Sequence, residues 1–289
     1  MDEQPQADPE PDVNISGGVA GGGELAPFET VAIDTRAGRV VARLGELYWE
    51  KTYGGRDAFE CLVRTILSQN TSDVASQPAH DALLERYADD EADLVNALAD
   101  ADHDEADLVN ALADADHDEL AETISGAGLY NQKSKMIRGA AAWVSEEFGS
   151  EAAFDAFVTD EDPNEVRETL LEVHGVGPKT ADCVLLFAGG QPGVFPVDTH
   201  VHRIARRLGI APADADHEGV REAFEDAIPP EMCGFGHTAM IQFGREYCTA
   251  RAPACLEDPD ACPMADLCEQ VGVYPETGEF VDPAEAPES

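Results

Sequence analysis

The sequence predicts an all-α protein. Between two polar tails, Ala, Leu, Glu and Asp dominate, apolar residues recur at the spacing of one helix face, and no sustained period-2 alternation appears. Helical patterns run over Phe59–Leu67, Lys133–Phe148, Thr180–Ala188, Thr199–Leu208 and His237–Tyr247, each bounded by Gly, Pro, Asp or Ser. At 289 residues the chain can bury a sizeable core. Residues 1–26 and 274–289 are rich in Pro, Gly, Asp and Glu, cannot offset their ordering entropy by burial, and are expected to be disordered.

No stretch reaches the 18 or so consecutive apolar residues of a membrane span, and the N-terminus lacks the basic-then-apolar layout of a signal peptide. A cytoplasmic protein without a membrane partner is expected. With 59 acidic against 18 basic residues, the formal net charge is -41. Such a surface should repel a polyanion. Acidic residues spread along most helices, and Arg is preferred over Lys throughout. That pattern fits a high-salt cytoplasm, where the Debye length falls to about 3 Å near 1 M salt. The alternative is an acidic module that binds basic proteins. Local basicity nonetheless survives, because Lys133, Lys135, Arg138, Lys179, Arg203, Arg206, Arg207, Arg245 and Arg251 lie in or beside the motifs below.

One internal repeat stands out: DEADLVNALADADH occupies residues 90–103 and recurs unchanged at 104–117. Fourteen residues are close to four helical turns, so the second copy can keep the stripe of Leu94, Leu98, Leu108 and Leu112 roughly in phase. The segment 90–117 carries no basic residue. It is expected to be a tolerated surface insertion, with a partner-binding helix as the alternative.

The segment LLEVHGVGPKTADCV, residues 170–184, is the most informative. Two apolar helical turns run into Gly175, Val176 and Gly177, and a new helix opens with Pro178 at its first position, where its missing N–H is not needed. The glycines allow positive φ and close backbone approach, so N–H groups at the turn and helix start can form a small phosphate site. This is a helix-hairpin-helix pattern, although many helical hairpins use glycine only to turn. Lys179 falls in the first turn of the second helix, where the macrodipole disfavours an ammonium and enriches the nucleophilic free amine. A surface lysine is the plainer reading. Farther on, VFPVDTHVHRIARRLG places Asp198 immediately before a helical pattern. Asp198 suits a plain N-cap, an acid/base partner for Lys179, or both. His200 and His202 diverge by about 200° on a helix and cannot share a metal ion. They are expected to pack or to lie near phosphate.

Of seven cysteines, Cys61, Cys183 and Cys233 fall in apolar or Gly-rich surroundings and are expected to be small buried residues. Cys248, Cys255, Cys262 and Cys268 crowd into CTARAPACLEDPDACPMADLC. In a cytoplasmic protein such a cluster binds metal before it forms disulfides, and four thiolates suit either zinc or an iron-sulfur cube. Structural zinc sites favour pairs two to four residues apart, and none occurs here.

Taken together, HGVGPKTAD followed by VDTHVHR resembles the signature of the endonuclease III family. FECLVRTILSQNTSD at residues 59–73 and GLYNQK at 128–133 resemble two more segments of it. The resemblance spans roughly Pro27 to Val273. It implies a DNA glycosylase with abasic-site lyase activity: Lys179 is the Schiff-base nucleophile and Asp198 its partner. Adenine- and thymine-mismatch relatives lack this lysine. Two helical lobes are implied, a helix-hairpin-helix domain over 53–192 and an iron-sulfur domain built from 27–52 plus 193–273. The partner implied is double-stranded DNA carrying damaged bases, oxidised pyrimidines above all, or abasic sites, bound by a monomer. Asn70, with Gln69 beside it, becomes the polar wedge and Leu129 the side chain filling the vacated stack. Gly175, Val176 and Gly177 hold phosphate, with Lys133, Arg203, Arg206 and Arg251 as further phosphate contacts. The four C-terminal cysteines become ligands of a [4Fe-4S] cluster, with zinc as the alternative.

Two departures accompany the resemblance. His174 stands where the family has Pro, and the cysteine gaps are six, six and five residues where the family has six, two and five, as if LEDPDA carried four extra residues. An archaeal, halophilic member is expected. The competing functions on the same fold are a monofunctional mismatch glycosylase and a non-catalytic DNA-binding protein.

Overall fold

The computed structural model describes residues 28–29, 33–50, 53–71, 73–88 and 108–287. The expected N-terminal tail and the first repeat copy lie outside these residues. Within them, twelve α-helices carry the chain: α1 (Arg36–Leu47), α2 (Ala58–Ser68), α3 (Asp73–Tyr87), α4 (Leu108–Asp114), α5 (His117–Thr123), α6 (Tyr130–Glu147), α7 (Glu151–Asp160), α8 (Pro163–Leu171), α9 (Pro178–Phe187), α10 (Thr199–Leu208), α11 (His217–Glu225) and α12 (Cys233–Glu246). A single antiparallel hairpin, β1 (Val273–Tyr274) with β2 (Glu279–Phe280), is added near the C-terminus. No described helix is long and apolar enough to cross a membrane.

The described residues form two compact units, one within 53–191 and the other from 28–50 together with 192–287. In the first, α2 runs through the middle. Asp57 caps it by accepting the Glu60 N–H, and Phe59, Leu62, Val63, Ile66 and Leu67 are fully buried. Burying each such side chain contributes about 1.5–3 kcal/mol. The helix is enclosed on every side, so even Arg64 is buried and donates to Ser76 Oγ and Gln77 Oε1. Its neighbours are α3, α6, α7 and α9. Helix α9 is equally enclosed, with every residue from Thr180 to Phe187 buried. Among them is Asp182, whose carboxylate takes a 2.6 Å bond from Arg167 Nε on α8 and so fastens the two arms of the hairpin.

The described part of the second repeat copy, residues 108–117, packs into the first unit and is not a surface insertion. Leu108 and Leu112 are buried where α4 packs on α6, Asp116 caps α5, and His117 Nδ1 lies 3.0 Å from Ser134 Oγ. An apolar stripe needs a partner, and α6 supplies one.

The second unit packs α1 and α10 on α12 around Val40, Val41, Leu44, Val201, Ile204, Met240 and Phe243, with Phe195 stacked on Phe224 at 4.1 Å. Helix α12 starts at Cys233, ahead of the His237 that the apolar pattern suggests, because Gly234 and Gly236 are helical. A Cβ on Gly236 would lie 2.8 Å from Phe195, so close packing explains that glycine better than turning does. The expectation of disorder from 274 onward is wrong for residues 274–287. Asp282 takes two bonds from the Arg206 guanidinium at 2.9 and 3.2 Å, Val281 N–H donates to Gly272 O, and Pro283 is buried. One ion pair and a two-residue strand suffice to anchor a segment whose composition offers little apolar surface.

Removing one partner of a buried pair leaves the other charge unmatched. Asp182→Ala is therefore expected to lower unfolding stability by about 3 kcal/mol, read as a shifted urea midpoint with unchanged slope. An unshifted midpoint would mean the pair is not what fastens α8 to α9.

Candidate active site and cysteine centre

Within the first unit, the hairpin turn is built by one glycine of positive φ. Gly175 has φ +90, whereas Gly177 is extended at φ -105 and acts as the N-cap of α9 without any side-chain cap bond. The sequence expectation that both glycines supply positive φ therefore holds only for Gly175. Thr180 and Ala181 N–H both donate to Gly177 O, and Pro178 opens the helix. Val176 has a buried side chain, and its N–H donates to Val173 O at 3.0 Å. Lys179 is half-buried on the first turn of α9. It lies close enough to Cys61 for its charge to oppose, in small part, the burial that pushes that thiol up to about 12.

The end of α2 is tied to this turn by Gln69, whose Nε2 donates to Gly175 O at 3.1 Å and Thr180 Oγ1 at 3.2 Å. Gln69 thus braces the hairpin. Asn70 beside it is exposed at φ +53, and Leu129 is 56 % exposed at φ +49. Leu129 is no core residue: the chain holds it in a left-handed conformation at the start of α6 and turns its side chain outward.

Lys133 is not a phosphate contact. It is 2 % exposed, and its Nζ donates to Leu67 O, Thr71 Oγ1 and Ala127 O at 2.7, 2.7 and 2.8 Å. Burial pushes its pKa down to about 8.

In the second unit, Asp198 caps α10 by accepting the Val201 N–H at 2.8 Å and is half-buried. Arg206 is also not a phosphate contact, because it is buried on Asp282 and Ala213 O. Arg203 is mostly committed inward as well, donating to Cys248 O at 2.9 Å and Thr199 O at 3.3 Å. Arg251 is exposed. His202 stacks on His217 at 4.0 Å and its Nε2 lies 2.9 Å from Ala215 O, a packing role. Cys233 is buried here, as Cys61 and Cys183 are in the first unit.

Cys248, Cys255, Cys262 and Cys268 line one pocket together with Arg207, Phe243 and Val273. Burial raises the thiols of Cys255, Cys262 and Cys268, the last two to about 11 and about 12. Two sulfurs receive N–H donors, Cys248 from Arg207 Nη1 at 3.6 Å and Cys268 from Gln270 at 3.3 Å. Such donors suit thiolates. Among the described residues no three His, Cys, Asp or Glu side chains are grouped as a single metal ion would need. The residues between Cys255 and Cys262 fold outward through two short 3-10 turns, Ala254–Leu256 and Pro259–Ala261, leaving Glu257, Asp258 and Asp260 exposed. The widened gap therefore keeps both flanking cysteines on the pocket. Arg207 is the residue of this centre that sequence reasoning misses. It also donates to Thr249 O and Ala250 O. The signal that could have found it is the doubled arginine at the end of α10, which sends the Arg206 guanidinium to Asp282 and that of Arg207 to the cysteine loop.

The family described as HhH-GPD superfamily base excision DNA repair protein matches residues 63–230. Endonuclease III of Thermotoga maritima is 30% identical over 213 residues, covering 74% of this chain and 83% of that protein. Endonuclease III of Bacillus subtilis is 34% identical over 151 residues, covering 52% of this chain and 62% of that protein, so this match spans under two thirds of its length. Among solved structures, a trapped endonuclease III–DNA covalent intermediate aligns with a TM-score of 0.62 at 25% identity, over 80% of this chain and 92% of that one.

The two hairpin glycines make a sharp contrast. A Cβ on Gly175 would require an unfavourable left-handed residue and would meet Met136 Cε at 2.4 Å, whereas one on Gly177 meets nothing within 4 Å. Gly175→Ala is expected to cost about 1–2 kcal/mol and Gly177→Ala no more than about 0.5 kcal/mol, both read by thermal unfolding. Equal costs would contradict the turn geometry.

Proposed function

The chain belongs to the HhH-GPD superfamily of base excision DNA repair proteins, within its endonuclease III family, and from that premise we propose that this DNA glycosylase is bifunctional, removing oxidised pyrimidines and cleaving the abasic site it creates. The observation that carries this reading is Lys179, half-buried on the uncapped first turn of α9, directly after the hairpin. The solved relative trapped as a covalent intermediate with DNA supports a covalent route of this kind.

In the proposed reaction the damaged nucleotide is flipped out and Lys179 Nζ attacks C1′ of its sugar. The N-glycosidic bond breaks and the base departs with the bonding pair. Loss of the amine proton and opening of the sugar ring give an imine, and removal of a C2′ proton then expels the 3′ phosphate, nicking the strand 3′ to the site. Asp198 is proposed to accept the lysine proton or to stabilise positive charge at the sugar. Its bond to the Val201 N–H fixes one carboxylate oxygen and so orients the group. The backbone of the hairpin turn at Gly175 and Gly177 is proposed to hold a phosphate of the double-stranded DNA, and Arg251 is kept as an exposed phosphate contact. Asn70 and Leu129, both outward and left-handed, are proposed to enter the duplex at the flipped base.

The unit within 53–191 would serve as the hairpin lobe and the unit holding 192–287 as the cluster lobe, working as a monomer. Cys248, Cys255, Cys262 and Cys268 are proposed to hold a [4Fe-4S] cluster, with zinc as the alternative. All four line one pocket, two of their sulfurs receive N–H donors, and among the described residues no three ligand-type side chains are grouped as a single ion needs, which favours the cluster. When bound, such a cluster would cross-link residues 248–268 and leave the chemistry to Lys179. The net charge of -41 is read as adaptation to a high-salt archaeal cytoplasm.

Borohydride should trap a covalent complex between the wild-type protein and abasic DNA. Lys179→Ala should abolish trapping and slow nicking by at least about 1,000-fold, while gel-shift affinity for a stable abasic analogue stays close to wild type. Base release without trapping would instead identify a monofunctional glycosylase, and binding without base release a non-catalytic protein.

Anaerobically purified protein should be brown and contain about four irons and four sulfides per chain, and Cys255→Ser should lower that content. Colourless protein with one zinc per chain would assign the centre to zinc.

A further inference from the structure

Asn70 and Leu129 are, with Gln270 in the other unit, the non-glycine residues of positive φ among the described residues. A left-handed residue with a side chain costs about 1–2 kcal/mol and persists where its surroundings over-determine it. Both are over-determined by the same side chain. Lys133 Nζ binds Leu67 O and Thr71 Oγ1, which bracket Asn70, and Ala127 O, which precedes Leu129 by two residues. Its own backbone N–H donates to Leu129 O at 2.9 Å, closing the bracket on the other side. Thr71 Oγ1 also donates to Ala127 O, joining the two loops directly beneath the ammonium. Leu67 O belongs to the last turn of α2 and Ala127 O to the end of the 3-10 turn Ser125–Ala127, so both are carbonyls at helix ends and favour a cation.

We infer that Lys133 is the positioning residue for base extrusion: its ammonium holds the loops of Asn70 and Leu129 at one fixed spacing, so that the two side chains enter the duplex together. An apolar side chain of similar volume would fill the place but leave these acceptors without their donor. A cation answers three acceptors at once and fixes their geometry. The inference rests on the reading that these loops enter DNA.

The test uses full-length protein and a duplex with a non-cleavable abasic analogue opposite 2-aminopurine, whose fluorescence rises as it leaves the stack. Wild-type protein at saturation should give a large rise, and Leu129→Ala a reduced one. Lys133→Met should reduce it by about fivefold, Lys133→Arg should restore part of it, and Lys133→Met combined with Leu129→Ala should be no worse than the more severe single variant. Additive losses, or a wild-type rise from Lys133→Met, overturn the positioning role. No rise from wild-type protein, or no loss from Leu129→Ala, overturns the reading that the loops enter DNA and the inference with it. Should Lys133→Met fail to fold, Thr71→Val removes one acceptor and is carried through the same cycle, with the same results deciding.

Discussion

An α-helix leaves its first N–H groups and last carbonyls without partners of its own, and in this protein the groups suited to chemistry gather at those ends. Seven helices answer their N-terminal N–H groups with a side chain of their own: Thr35, Asp57, Asp116, Ser150, Asp162, Asp198 and Asp216 accept at the starts of α1, α2, α5, α7, α8, α10 and α11. Helix α9 opens instead on Gly-Pro-Lys with no side-chain cap. A carboxylate there would stabilise the helix and repel a phosphate. Placing glycine there gives up only a few tenths of a kcal/mol of capping and keeps a carboxylate away from the turn. The carbonyl ends are answered differently, by Lys133 at the end of α2 and by Arg203 and Arg207 on the carbonyls of Cys248, Thr249 and Ala250 after α12.

Those bonds explain which parts of the site are legible in the sequence. The Gly175 turn, the start of α9 and the Asp198 cap can be read because each imposes a local residue choice. Leu129 and Lys133 cannot be told apart by such means. Both belong to GLYNQK, where both are expected to face DNA, and the structure keeps Leu129 outward but turns Lys133 inward. The difference follows from where α6 begins: with Leu129 in a left-handed conformation ahead of the first turn, Lys133 points back toward the carbonyl ends of α2 and of the 3-10 turn. That is a tertiary fact, and no local pattern encodes it. Arg206 is misread for a similar reason, because its partner Asp282 lies 76 residues away in a segment that composition marks as disordered.

The fold is legible where a run of apolar residues is long and less so where small residues do the packing. Helices α2 and α9 can be found because their runs are almost continuously apolar. The start of α12 is missed because Gly234 and Gly236 read as a turn, although close packing of Gly236 on Phe195 requires a missing side chain there. The duplicated segment illustrates the opposite limit. Its two copies are identical, so sequence cannot say which is built into the core, whereas the second is fixed by Leu108, Leu112 and the cap from Asp116.

The acidic surface fits the same allocation of cations. Near 1 M salt the Debye length is about 3 Å, so an exposed pair such as Arg86 with Glu119 contributes almost nothing. The Arg167–Asp182 pair, with its carboxylate 2 % exposed, has no room for intervening counter-ions and keeps its strength. A chain with 18 basic residues gains most by placing them inside, as it does with Arg64, Lys133, Arg206 and Arg207. Long-range steering by surface lysines would be screened in such a solvent in any case. What survives screening is the short-range hydrogen bond from a fixed backbone N–H, the kind of contact proposed for the hairpin turn. A DNA glycosylase in high salt can therefore carry a strongly negative surface, provided that its contact points are preorganised backbone groups.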